Sequence, residues 1–328
     1  MAFSFTEDRN MDSFIYSLNA TVPVFAIMIV GYVLRRIGFI TEEFANVANK
    51  FVFKVCLPCM LFLDLWSTDI RHNFNGRYIG FCAAVTVISI LGIWGLSKLC
   101  MKDKSQVGAF VQVSYRSSAA ILGIAFIQNI YGNSGMGPLM IIGAVPLYNI
   151  FAVTILTLES NDSNTRQDKG RIRKTFINIL KNPIIIGIAL GMAASLINLK
   201  LPQMVEKSIQ NLGVMASPLA LIAIGAGFEG RKALAKIRPS VIASFIKLIG
   251  LAAVFLPVAV WMGFRDQELL ALIIMLASPS TPTAYIMAKN MHGDAVLSSS
   301  VIVITTLFSS VTLTAWIFLM RYLGYIAG

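Results

Sequence analysis

Residues 276–285 read LASPSTPTAY, with apolar runs on both sides. Two prolines, Pro279 and Pro282, stand there among four hydroxyls: Ser278, Ser280, Thr281 and Thr283. Proline has no backbone N–H, so Pro279 cannot serve the carbonyl of Met275, nor Pro282 that of Ser278. In lipid an unpaired carbonyl costs several kcal/mol, so such a break survives only when buried in protein or lining a wet cavity. The stretch predicts a helix interrupted part-way across a bilayer. Its hydroxyls can satisfy the freed groups or contact a ligand.

The surrounding chain supplies the bilayer context. Of 328 residues, 56% are hydrophobic and 13% charged, against about 25% charged in an ordinary soluble domain. A helical crossing takes about 20 apolar residues. Ten such segments are expected, over 13–35, 43–66, 77–99, 106–130, 136–158, 174–198, 204–228, 238–262, 267–289 and 295–323. This is an all-α, multi-pass membrane protein. No cleavable leader is expected, because the first residues, MAFSFTEDRNMD, are acidic. Cys56, Cys59, Cys82 and Cys100 lie in or beside apolar runs, which reads as packing rather than a disulfide framework.

The net charge of +11 would suggest nucleic acid in a soluble chain, but topology accounts for it here. With both termini outside, seventeen of the 27 Lys and Arg residues fall on the cytoplasmic side and seven on the outer side. The other three, Lys54, Arg116 and Lys247, lie within spans. The basic loop 159–173 is then cytoplasmic, and the membrane is the cell (inner or plasma) membrane. It separates two five-span halves, 1–158 and 174–328.

Those halves carry a spacing. Pro23, Gly31 and Pro58 recur 160 residues later as Pro183, Gly191 and Pro218, and Asn129 and Gly132 recur 161 later as Asn290 and Gly293. An odd number of spans per half turns the second copy over. Inverted repeats with interrupted helices at matching positions are a common layout of secondary transporters. The counterpart of 276–285 is VSYRSSAAILG, 113–123, with Ser114, Tyr115, Arg116, Ser117 and Ser118 at the matching depth. It lacks proline but has an arginine about 15 Å into its span, near the midplane. A charge there costs about 2.5–3.5 kcal/mol on the insertion scale and marks a pathway or a partner. Two partners are open: protein groups, such as Asp64 or broken-helix carbonyls, or an anionic substrate held by the guanidinium fork. Asp64, placed by counting in the outer part of span two, tips the reading towards substrate.

The segments PVFAIMIVGYVLRRIGFI (23–40), CLPCML (56–61), SYRSSAAILG (114–123), VPLYNI (145–150) and ASPSTPTAYIMAKNMHGDAVLSSSVIVITTLFS (277–309) resemble the auxin efflux carrier family over nearly the whole chain. The likeness is strongest to its bacterial members, among them malate and malonate permeases. The last segment is the most specific. The resemblance implies two inverted five-helix repeats, a scaffold of spans 1, 2, 6 and 7, and a moving domain of spans 3–5 and 8–10. Broken helices 4 and 9 would cross at Tyr115–Ser118 and Ser278–Thr283, with Tyr148 and Asn149 beside them. Arg116-Ser117-Ser118 replaces the proline-containing crossing of the plant members, which sets auxin itself aside.

The expectation is a secondary carrier of a small organic anion, a carboxylate, bound by Ser114–Ser118, Asn149 and Ser278–Thr283, with elevator-like alternating access. Asp64 is the best candidate for proton coupling. Lys247, deep in span eight, is a candidate fixed charge that stands in for a coupling sodium ion. No cofactor, metal or nucleic-acid partner is expected: His72 and His292 lie in loops, and Gly225–Gly230 satisfies GxGxxG only at the end of a membrane helix. Gly187 and Gly191 support close helix packing, within one subunit or across a homodimer. The rivals are a cation-coupled symporter of another organic solute on the same fold, a non-transporting receptor, a membrane enzyme, which would need paired acids or histidines, and a cation exchanger, which would want midplane aspartates.

Overall fold

The computed structural model describes residues 22–67, 75–118, 127, 131, 135–159 and 171–326, and all regular structure among them is helical. Six of the expected spans are single helices long and apolar enough to cross a membrane: α2 (Glu42–Trp66), α3 (Gly76–Cys100), α5 (Gly137–Glu159), α8 (Gln203–Ala226), α10 (Ile237–Trp261) and α13 (Ala295–Tyr322). A seventh is a bent pair, α11 (Asp266–Ala277) and α12 (Pro282–Asn290), turned by 40° at the break. The first span is described from residue 22, as α1 (22–36). The fourth, α4 (Val107–Tyr115), is followed as far as Ser118. Asn129 and Gly132, two members of the repeat, lie outside the described residues, as does the loop 160–170.

The sixth span departs from expectation. It divides into α6 (Arg171–Leu180) and α7 (Pro183–Leu196). The Asn182 side chain accepts from the Ile184 N–H and Pro183 takes the first helical position, a start signal inside what counting alone makes one rod. Elsewhere the caps fall where composition puts them. Thr41 opens α2, Asn75 opens α3 and Asp294 opens α13, each side chain accepting a first-turn N–H. A short helix, α9 (Gly230–Ala235), leads into α10.

The helices sort into two packed groups. In one, the second half of α2 lies against α7 and the first half of α8, and the first half of α2 against the second half of α8. In the other, α3, α4 and α5 pack together, α13 packs on α4, α10, α11 and α12, and α12 also reaches across to α8. Bare backbone holds the first group tightly. A Cβ on Gly31 would stand 2.4 Å from the Ile222 carbonyl oxygen, and one on Gly191 would stand 2.7 Å from that of Phe62. Both partners of the second contact are the first pair shifted by 160 residues and exchanged between halves. Val33, Leu91, Phe245 and Val254 are exposed along the helices, as a lipid-facing surface requires. Trp261 and Tyr322 stand exposed at the ends of α10 and α13, the positions of an interfacial aromatic belt.

Candidate functional site

The break between α11 and α12 answers for its own carbonyls. Helix α11 ends at Ala277, Ser278 turns to extended backbone, and Pro282 starts α12. The Met275 carbonyl, which Pro279 cannot serve, accepts from the Ser117 hydroxyl, from Lys247 Nζ at 3.4 Å and from the Tyr148 hydroxyl at 3.4 Å. The Leu276 carbonyl accepts from Lys247 Nζ at 2.6 Å. Ser280 donates its N–H to Thr305 Oγ1 at 3.1 Å, and that hydroxyl in turn donates to the Val301 carbonyl.

Helix α4 ends opposite it. Arg116 is its C-cap, extended at φ −72°, ψ 128°. Two residues on, the Ser118 N–H donates to the Pro279 carbonyl at 3.0 Å, so the two interruptions hydrogen-bond to each other. No proline causes this break. Side chains and the opposing strand of backbone supply what the α-helical ladder would have given.

Arg116 is 4% exposed. One terminal nitrogen, Nη2, donates to Asn149 Oδ1 at 2.6 Å and the other, Nη1, to Met287 Sδ at 2.9 Å. Among the described residues it forms no ion pair. A guanidinium has five N–H donors, and its two partners here are neutral. Asn149 is held for the task, because its Nδ2 donates to the Val145 carbonyl at 2.9 Å and so aims Oδ1 at the arginine. The Val145 carbonyl sits beside Pro146, an internal helix proline of α5.

A cavity of about 40 Å³ opens at this point, lined by Arg116, Ser117, Ser118, Tyr148, Asn149, Thr281 and Thr283 together with Asp64, Met60, Leu61 and Val145. Thr281 and Thr283 bond to each other, Oγ1 to Oγ1 at 3.1 Å, at the start of α12, where a helix N-terminus favours an anion. Asp64 lines the same cavity as Arg116. A five-residue π turn, Val52–Cys56, precedes it and rotates everything beyond it in α2.

Other expected contributors stay out of the lining. The Ser114 hydroxyl bonds back to the Phe110 carbonyl and that of Tyr115 donates to the Tyr148 carbonyl. Ser278 and Ser280 are buried with hydroxyls that find no partner. Pro279 and Pro282 lie in the break itself and do not line the cavity. Sequence reasoning missed Thr305 and Met287. A threonine pair in span ten was the one available signal for the first, and a lone methionine gave none for the second.

A second, much larger space of about 1110 Å³ lies between α1, α2 and α8 on one side and α12 and α13 on the other. Arg35, Arg36, Arg231 and Lys289 line it, with Glu42 and Glu229. No residue lines both spaces.

Helix ends that meet inside an apolar helical bundle around a buried cation are common in proteins that pass solutes through membranes, and the comparisons agree. Residues 16–317 match the family described as Membrane transport protein. The chain belongs to that family. It is a transporter family, the one to which the auxin efflux carrier motifs pointed. An uncharacterized transporter of Methanocaldococcus jannaschii is 22% identical over 91% of this chain and 97% of its own length. A Rhizobium meliloti protein provisionally named a malonate transporter is 24% identical over 92% of this chain and 94% of its own. A lysosomal cholesterol signaling protein of Mus musculus is 23% identical over 70% of this chain, which corresponds to 28% of that longer protein.

Proposed function

We propose that this chain is a secondary carrier of small organic anions, with Arg116 as the carboxylate clamp. One observation carries the reading: a buried guanidinium at the meeting point of two broken helices, aimed into a cavity and matched by an amide and a thioether instead of an acid. A carboxylate entering that cavity meets the remaining Arg116 donors, the one hydroxyl hydrogen that the Thr281–Thr283 pair leaves free, and the N-terminus of α12. Charge-assisted and bidentate bonds of this kind are the strong ones. The provisional malonate name of the Rhizobium relative supports a mono- or dicarboxylate.

The cavity's about 40 Å³ exceeds the roughly 10–15 Å³ that one water requires, which is room for polar atoms beside the guanidinium. The wide basic space at Arg35, Arg36, Arg231 and Lys289 supports approach from the side that the lysine and arginine bias makes cytoplasmic. The two glycine contacts related by 160 residues support inverted repeats, and the two packing groups support a scaffold (1–2, 6–7) and a moving body (3–5, 8–10). Asp64, in one cavity with Arg116, is the group placed to tie carboxylate binding to a proton. This makes proton-coupled movement the finer reading, with a proton taken up at Asp64 offsetting one negative charge of the substrate.

The test is a thermal-shift screen of purified protein against mono- and dicarboxylates, wild type beside Arg116→Ala, followed by uptake of the best ligand into proteoliposomes. Stabilisation of wild type alone, with uptake, is expected. Equal stabilisation of both proteins rules out the clamp. Ligand binding without uptake favours a second reading, a sensing module, which the likeness to the mouse signaling protein makes worth separating.

A further inference from the structure

We infer that Lys247 is a tethered cation that permanently fills a monovalent-ion position at the carbonyl end of α11. Lys247 sits on a π turn, Ile246–Gly250, in the middle of α10, and is 0% exposed. A buried ammonium in a membrane helix normally snorkels or pairs with an acid. Lys247 does neither: among the described residues it forms no ion pair, and its two partners are the Met275 and Leu276 carbonyl oxygens.

Those carbonyls end a helix of twelve residues that stops inside the protein. The end of such a helix carries about half a negative charge, and its last carbonyls have no intrahelical donor. Carbonyl oxygens gathered at an unwound helix end are what coordinates an alkali cation in transporters with discontinuous helices. Here a primary ammonium occupies that place on a four-carbon stem. A covalently attached ion is present in every state of the protein and cannot be released to either side. It contributes no driving force, and sodium has nothing to coordinate at this end of the crossing. The π turn gives the side chain its aim, since one residue more in the turn redirects Lys247 from the face its neighbours take.

The consequence for coupling rests on the carrier reading, but the ion position can be tested with no substrate present. Wild type, Lys247→Ala and Lys247→Met are purified and their melting temperatures measured in sodium chloride, choline chloride and ethylammonium chloride of equal ionic strength. Wild type should melt alike in all three. Lys247→Ala should fall by about 5 °C in choline, the size expected for losing charge-assisted hydrogen bonds, and recover at least half the loss in sodium or ethylammonium. Lys247→Met fills the volume without the charge and should fall in all three salts.

Wild type stabilised by sodium over choline overturns the inference, because the position would still be open. So does Lys247→Met as stable as wild type, because the charge would be unnecessary. So does Lys247→Ala that no cation restores, or that is recovered folded in none of the salts, because the lysine would then be a packing element. None of these outcomes depends on whether carboxylates bind Arg116.

Discussion

The two interruptions meet at one hydrogen bond and are built on opposite plans. The break in span nine is written in proline and then closed by protein: its Met275 and Leu276 carbonyls go to Lys247, Ser117 and Tyr148, and Ser280 N–H goes to Thr305. The break in span four has no proline. It ends α4 on Arg116, whose side chain leaves for Asn149 and Met287. One half is a finished joint with its charge already balanced. The other ends in a positive charge that no described acid answers. A carrier needs that asymmetry, since a site satisfied on both sides by its own side chains has nothing left to offer a passenger.

The comparison breaks first at Arg116. Arg116→Ala should reduce carboxylate uptake about 100-fold, the size of losing a buried charged partner at about 2.7 kcal/mol, while the purified protein stays folded. Uptake within a factor of two of wild type would mean that the unanswered charge is incidental. Asn149→Asp sharpens the same point by giving the guanidinium a built-in carboxylate. Ligand affinity should drop at least about ten-fold by calorimetry, and unchanged affinity would place the passenger elsewhere.

The third test asks whether the two halves are matched outside the crossing. Gly31→Ala and Gly191→Ala each push a methyl into backbone, at Ile222 and Phe62, and should each cost about 1–3 kcal/mol in thermal unfolding. One tolerated and one ruinous would count against a repeat. Thr305→Val removes the acceptor of Ser280 N–H and should cost about 1 kcal/mol, with no change in affinity. The smallest effect lies at Asp103, outside the membrane segments, where bonds from Ser105 and Gln106, then the nearby Lys236, hold the carboxyl below its usual range. A lowered value contributes stability that is present above the unfolded pKa and lost as the pH falls through the folded one. An acid melting series should therefore flatten slightly in Asp103→Asn.

Much of the crossing could be read from residue types. Two prolines with hydroxyls around them named the carbonyls of Met275 and Ser278 as the ones to be orphaned, and three donors reach the first. Arg116 stood out because a midplane charge is costly. What could not be read was rotation. Asp64 faces the cavity that Arg116 faces, beyond a π turn that changes the side α2 presents there, and nothing in VFKVC, 52–56, announces an i→i+5 bond. The same holds for Lys247, whose depth was legible and whose target was not. The division of span six was legible in principle, since Asn182-Pro183 is a cap followed by a first-turn proline, but continuous hydropathy masked it. Partners brought in from other spans, Thr305 and Met287, carry no local signature at all.

Where Gly31 meets Ile222 and Gly191 meets Phe62, main chain rests on main chain with no flexible matter between. Such seams have no slack to give: a sideways slip of an ångström would drive atoms together at both ends of the frame at once. On the proposed carrier reading, any large excursion would fall to the other bundle, with the stiff quartet as its rail.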